Sequence, residues 1–229
     1  MSSILLIRQQ SSNYDSPQSL NLGNSIDVVD LFDSGDVEDY LKRHGYKHTF
    51  KDNYTANRLV KFLPNPDYEM KIYLDSSILI NDVNAFLNSV EQRNDEHFDL
   101  MLCEHPNRNV LSDELRACYL SSKISKEQYR EFIKSNEILK NAQTLTQNGF
   151  MMSRYNENFR YWCNQFVDYL STYEIKRDQI ALPIFLEKTP LKNLNYQSWP
   201  SYLTVKKHKK SAIQKVLKKI NYISRSLNG

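Results

Sequence analysis

Apolar runs that alternate with polar, turn-forming stretches set the plan of the chain. Residues 4–7 (I-L-L-I) and 25–32 (S-I-D-V-V-D-L-F) predict the first two strands, the second rich in β-branched positions. The run at 71–81 (K-I-Y-L-D-S-S-I-L-I-N) predicts a buried strand interrupted by Asp75 and two serines, Ser76 and Ser77. Residues 98–103 (F-D-L-M-L-C) predict another buried strand. Residues 144–155 (T-L-T-Q-N-G-F-M-M-S-R-Y) predict one more, with Met151 and Met152 in the core and Gly149 inside it, where a missing side chain lets backbone or ligand approach.

Between these runs the period becomes helical. Asp36 is read as the cap of a short helix running to Leu41 and ended by Gly45. Residues 52–63 place Ala56, Leu59, Val60 and Leu63 on one face, with Asp52 or Asn53 as cap and Pro64 as stop. Asp82 caps a helix whose stripe is Val83, Phe86, Leu87 and Val90. Residues 112–120 predict a short helix carrying Glu114. Ser125 and Gln128 form a capping box, with Ile124 and Tyr129 spaced as a hydrophobic staple, opening a helix to about residue 140. In 156–173, Phe159, Trp162, Phe166, Tyr169 or Leu170, and Tyr173 make an aromatic stripe assigned to the core. A last helical segment opens at 177–179 (R-D-Q). Strand, helix, strand in this order predicts an α/β fold with a mostly parallel central sheet and right-handed crossovers.

Composition changes this picture in three places. The 229 residues suffice for one domain, taken as residues 1–204, plus a tail at 205–229. Only 5 glycines stand against 15 tyrosines and 10 phenylalanines, with no P-loop and no G-x-G-x-x-G, so a Gly-rich phosphate cradle is excluded. Three widely spaced cysteines, Cys103, Cys118 and Cys163, suit free thiols in a reducing compartment. With no signal-like segment and no run of apolar residues long enough to span a bilayer, the expected location is cytoplasmic.

The net charge of +3 is unevenly spread. Eight lysines and arginines and no acids lie between Val205 and Gly229, so the remainder carries 22 basic against 27 acidic residues. Ile213, Val216, Leu217, Ile220, Ile223 and Leu227 repeat at helical spacing among these lysines, the form of a basic amphipathic helix. Such a helix packs on its own domain, binds a partner, or lies peripherally on an anionic membrane surface. Packing is the commonest outcome for an amphipathic helix, and the charge favours the membrane somewhat more than usual. No DNA or RNA motif accompanies it, and no nucleic-acid partner is expected.

Candidate chemistry gathers around Asp75. A carboxylate at a buried strand's end either caps the next turn or meets a ligand in the crevice at the strand ends. Arg58 and Lys61, three apart on one helix, form either a solvated basic face or a diphosphate clamp. His105 and Arg108 follow a strand's end, where ligands bind.

In order, R-x-x-K-x-x-P at 58–64, Y-L-D-S at 73–76, H-x-x-R at 105–108 with Glu114 after it, Gly149, and R-D-Q at 177–179 resemble a small GT-A type glycosyltransferase of capsule and surface-polysaccharide clusters, with plant relatives linked to cell-wall polysaccharide. The likeness spans roughly residues 14–186. It implies a Rossmann-like fold for nucleotide-diphospho-sugar transfer, with Tyr14 and Asp15 near the nucleotide and Arg58 and Lys61 at the diphosphate. It places Asp75 and Ser77 at the donor, with Asp75 the ligand of any Mn²⁺ or Mg²⁺, and His105, Arg108 and Glu114 at the sugar or leaving group. It sets Asp178, between Arg177 and Gln179, as acceptor contact or general base, while Arg154 is read as either an acceptor contact or a surface residue. The chain departs from the usual Asp-x-Asp, since the third position is Ser77. The implied reaction moves a sugar from a nucleoside-diphosphate sugar to a hydroxyl of a glycan or lipid-linked acceptor. The alternatives are a non-catalytic relative that binds carbohydrate or nucleotide sugar and, less favoured, a nucleic-acid binder.

Overall fold

The computed structural model describes residues 4–9, 18–46, 53–108, 110–135, 145–172, 177–206, 219 and 222–226. Its centre is a six-stranded sheet in the order β2-β1-β3-β6-β5-β7. The strands are β1 (Ile4–Gln9), β2 (Ile26–Leu31), β3 (Met70–Asp75), β5 (Leu100–Glu104), β6 (Thr146–Arg154) and β7 (Leu194–Gln197). β1 runs parallel to β2 and β3, and β5 parallel to β7, while β6 lies antiparallel between β3 and β5. The fold is therefore α/β with a mostly parallel sheet. The register sets Gln9 beside Asp75, so the C-terminal ends of β1 and β3 stand level.

Alternate residues of the central strands feed two cores, as period-two geometry requires of a strand buried on both faces. Leu5, Ile7, Tyr73, Leu102 and Met151 face one layer. It is made by α1 (Ser34–Arg43), α2 (Asn53–Phe62), α6 (Glu157–Thr172) and α7 (Asp178–Lys188). Ile4, Leu6, Ile72, Leu74 and Met152 face the other, with Phe86 and Val90 of α3 (Val83–Asn94). A third cluster joins α4 (Leu111–Leu120) to Ile124, Ile180 and Ile184, with Tyr129 of α5 (Lys126–Ser135) packed against it.

Two expectations are corrected. The 71–81 run is two strands: after Asp75 the chain turns, and β4 (Ile78–Ile80) leaves the main sheet to pair with β8 (Leu203–Val205). The turn is what the D-S-S sequence encodes, since Asp75 Oδ1 accepts from both the backbone N–H (2.9 Å) and the hydroxyl (2.7 Å) of Ser77. The first helix is capped by Asp33, and Asp36 is the reciprocal partner of that capping box. Asp82 and the Ser125–Gln128 pair cap as the sequence predicts.

The three thiols are buried and free. Among the described residues no helix is long and apolar enough to cross a membrane. Tyr14, Asp15, the Asp52 cap position and most of the 205–229 tail lie outside the described residues. Of that tail, residues 222–226 are helical.

Candidate active site

A polar cleft of about 530 Å³ opens at the C-terminal ends of β3 and β5. Ten of the residues singled out in the sequence line it: Arg58, Lys61, Asp75, Ser77, His105, Arg108, Glu114, Arg177, Asp178 and Gln179. Their meeting follows from topology. β3 delivers Asp75, the loop after β5 delivers His105 and Arg108, and the first turn of α7 delivers Asp178. α2 packs beside β3 because Lys71, buried in that strand, donates to the carbonyls of Val60 and Lys61 at 3.0 Å each and to that of Leu63. The Lys71 amine, whose pKa burial pulls down to about 7, thus satisfies the orphan acceptors at the helix C-terminus and fixes the segment carrying Arg58 and Lys61.

Asp178 is almost fully enclosed, at 4 % exposure. Lys61 Nζ donates to its Oδ2 at 2.6 Å, Asn148 Nδ2 to the same oxygen at 3.3 Å, and Arg58 Nη1 lies 3.6 Å from Oδ1. Burial works against its ionisation, but the Arg58 and Lys61 charges outweigh burial and hold the carboxyl well below the usual carboxylate range. Such a group accepts a proton poorly. Its position suits a fixed counter-ion for two inner cations.

The loop after β5 and α4 form a second network. Arg108 Nε stands 2.7 Å from Glu114 Oε2, an ion pair that is not aligned as a hydrogen bond, and the Cys118 thiol donates to Glu114 Oε1 at 3.1 Å. Burial, and Glu114 beside it, push that thiol up to about 11, so it stays protonated. His105 Nε2 lies 3.0 Å from Arg108 Nη2, and Nδ1 lies 3.1 Å from the Asn107 N–H. A neutral imidazole has one acceptor nitrogen, so only one of these contacts is a hydrogen bond at a time. Burial and then Arg108 pull the His105 pKa down, against Glu114, and keep the ring neutral.

Asp75 is different in kind. It is half-buried, its Oδ1 is taken by its own turn, and Oδ2 makes no hydrogen bond among the described residues. The turn-capping reading is thus met by Oδ1, while Oδ2 faces the cleft.

Arg154 is not brought to the cleft. Because β6 runs antiparallel, its far end carries Arg154 to the opposite end of the strands, where it donates to the carbonyls of Arg93 (3.0 Å) and Asn94 and lies over Phe98. The same reversal brings in Gln147, Asn148 and Gly149 at the near end. Gln179 Nε2 donates to Gln147 Oε1 at 2.8 Å. Lys123 and Lys206 also line the cleft and carried no signal in the sequence beyond their charge.

Six cations (Arg58, Lys61, Arg108, Lys123, Arg177, Lys206) face three carboxylates (Asp75, Glu114, Asp178), an excess of three positive charges. For a resident divalent metal the described donor set is a poor fit. Asp75 supplies one open anionic oxygen inside a cationic cleft, and no group of three His, Cys, Asp or Glu stands close enough together among the described residues.

No family model and no curated protein matches the chain. Two solved structures resemble it over nearly their whole lengths. One is 4-diphosphocytidyl-2C-methyl-D-erythritol synthase from Anaerococcus prevotii DSM 20548, at 9 % identity and TM-score 0.44, covering 97 % of this chain and 96 % of that one. The other is CMP:2-keto-3-deoxy-manno-octonic acid synthetase complexed with CTP, at 10 % identity and TM-score 0.41, covering 99 % and 100 %. At such similarity the reading of the cleft rests on its own geometry.

Proposed function

We propose that the cleft binds a nucleoside-diphosphate sugar and transfers its sugar to a hydroxyl of a glycan or lipid-linked acceptor. The observation that carries this reading is the excess of three positive charges around a strand-end carboxylate in a cleft large enough for a sugar diphosphate. A diphosphate diester is dianionic, and its departure concentrates charge on the leaving oxygens. Cations fixed before the reaction stabilise that charge without reorganising. The bond from the anomeric carbon to phosphate breaks, a bond from that carbon to the acceptor oxygen forms, and the acceptor proton passes to a base. Asp75 Oδ2 is the open carboxylate oxygen for that proton, while Asp178 holds Arg58 and Lys61 in place.

The rival reading, a non-catalytic binder of nucleotide sugars, draws support from the single open acid. A thermal-shift panel of UDP, GDP, ADP, CDP and dTDP in EDTA tests the shared part. At one hundred times Kd, binding contributes about 2.7 kcal/mol, a rise of roughly 5 °C or more for a chain of this length. No shift with any of the five sinks both readings. Asp75→Asn is expected to keep the shift and lose sugar transfer; a wild-type protein that binds but never transfers or hydrolyses the sugar nucleotide favours the binder.

A further inference from the structure

Two described stretches meet the cleft from outside the sheet, the turn after α4 and the end of β8, and the last described residues of the chain pack on the first of them. α4 closes in a Schellman arrangement, with the Ser122 N–H donating to Tyr119 O at 3.0 Å and the Lys123 N–H to Cys118 O at 2.9 Å. The pivot residue is Ser122 at φ 60°, a left-handed conformation that usually selects glycine. A serine stays there when its surroundings hold it.

Arg225 provides that hold. Its Nη1 donates to the carbonyls of Tyr119 at 2.7 Å and Ile124 at 2.9 Å, one on each side of the turn, and its guanidinium lies 5.0 Å from the centre of the Tyr119 ring. The turn so clamped carries Lys123, which lines the cleft. At β8, the Lys206 N–H donates to Ser77 O at 2.5 Å. Lys206 is thereby tied to the turn whose Ser77 hydroxyl holds Asp75, and it lines the cleft as well.

We propose that the C-terminal end of the chain is a working part of the diphosphate site. Lys206 is a direct cation for the ligand's phosphates. Arg225 is a positioning residue, which holds the Tyr119–Ile124 turn so that Lys123 faces the same phosphates. The proposal rests on the nucleoside-diphosphate reading of the cleft and adds to it two ligand-binding residues and a support that lies far along the sequence from either Asp75 or Asp178.

The test measures affinity of the full chain by calorimetry at low salt, using the members of the UDP, GDP, ADP, CDP and dTDP panel, inorganic pyrophosphate, and the corresponding nucleosides as phosphate-free controls. Lys206→Ala and Lys123→Ala are each expected to weaken diphosphate binding by about tenfold, as loss of one charge-assisted bond does, with nucleoside binding unchanged. Arg225→Ala should weaken it as much as Lys123→Ala, and the double variant no more than Lys123→Ala alone. Arg225→Lys retains a charge but loses both the guanidinium plane at the Tyr119 ring and the Nη1 that reaches both carbonyls, so it should follow Arg225→Ala. Wild-type affinity in Lys206→Ala or Lys123→Ala overturns the direct roles. Additive losses in the double variant, or wild-type affinity in Arg225→Lys, overturn the positioning role. No binding to the unaltered chain by any panel member or by pyrophosphate brings down the parent reading and this proposal with it, an outcome distinct from the variant results.

Discussion

Asp178 shows how much the surroundings of one side chain decide. In the sequence it stands in R-D-Q at the start of a helix, where the dipole alone accounts for an acid. In the fold it is buried against Lys61 at 2.6 Å and Arg58 at 3.6 Å. Removing one member of a buried ionic group strands the others, at about 3–5 kcal/mol. Asp178→Asn is therefore expected to lower the urea midpoint strongly, and an unchanged midpoint would show that the cluster contributes little. The pH dependence follows from the direction of its shift. Its folded pKa lies below its unfolded value of about 3.9, so its contribution is fully present above that pH and is lost as the pH falls towards the folded pKa. In acid titrations the wild type should lose stability relative to Asp178→Asn across that window. A constant difference between the two would contradict the ion-pair assignment.

At the scale of elements, the direction of β6 controls the composition of the site. Read as a strand of unknown direction, residues 144–155 offer Arg154 as the charged group for a ligand. Antiparallel to its neighbours, the strand instead presents Gln147, Asn148 and Gly149 at the cleft and retires Arg154 to the opposite end of the strands. Gly149 is required by contact rather than by backbone angle. A Cβ there would lie 2.6 Å from Ile78 Cδ1 and 3.5 Å from Asp75 Cβ. Ile78 is buried in β4, so its tip yields only by disturbing the core. Gly149→Ala is expected to cost about 1–3 kcal/mol by overpacking and to displace the Asp75 turn. Ile78→Val, which deletes the clashing methyl, should restore most of the stability in that background. Failure to restore it would place the strain elsewhere. The glycine was legible as a site of close approach, whereas its partner was not, because β3 and β6 pair across about 75 residues of sequence.

Across the whole molecule, charge is strongly polarised. Eight basic residues and no acids fall between Val205 and Gly229, while upstream 22 basic residues face 27 acidic ones. Two of the eight have work in the domain, Lys206 at the cleft and Arg225 on the α4–α5 turn. Tyr222 and Ile223 remain about half exposed beside Arg225. Each basic residue near an anionic surface contributes on the order of 1 kcal/mol, so the remaining lysines suffice for weak, salt-sensitive recruitment. The full chain is expected to co-sediment with phosphatidylserine vesicles at low salt, less so at high salt, and less so again as Tyr222→Ser/Ile223→Ser. Equal sedimentation with neutral vesicles would remove the charge argument, and no sedimentation above a vesicle-free control would remove the membrane from the account and leave the tail to the domain.

The sequence by itself determined most of the longer elements and several caps, because apolar period and capping chemistry act over a few residues: Asp82, the Ser125–Gln128 box and the stripe from Phe159 to Leu170 all stand as read, whereas the Asp33 cap and the short β7 and β8 were not read. It also determined ten residues of the cleft, through ordered motifs that fall at strand ends and helix starts. Tertiary structure decided what local patterns do not encode. The direction of β6, the departure of β4 from the main sheet, the capture of Asp178 by two cations and the arrival of Lys123 and Lys206 all depend on contacts between distant segments. A charge alone in a sequence has no partner, and only the packed chain sets which charges are neutralised and which face the cleft.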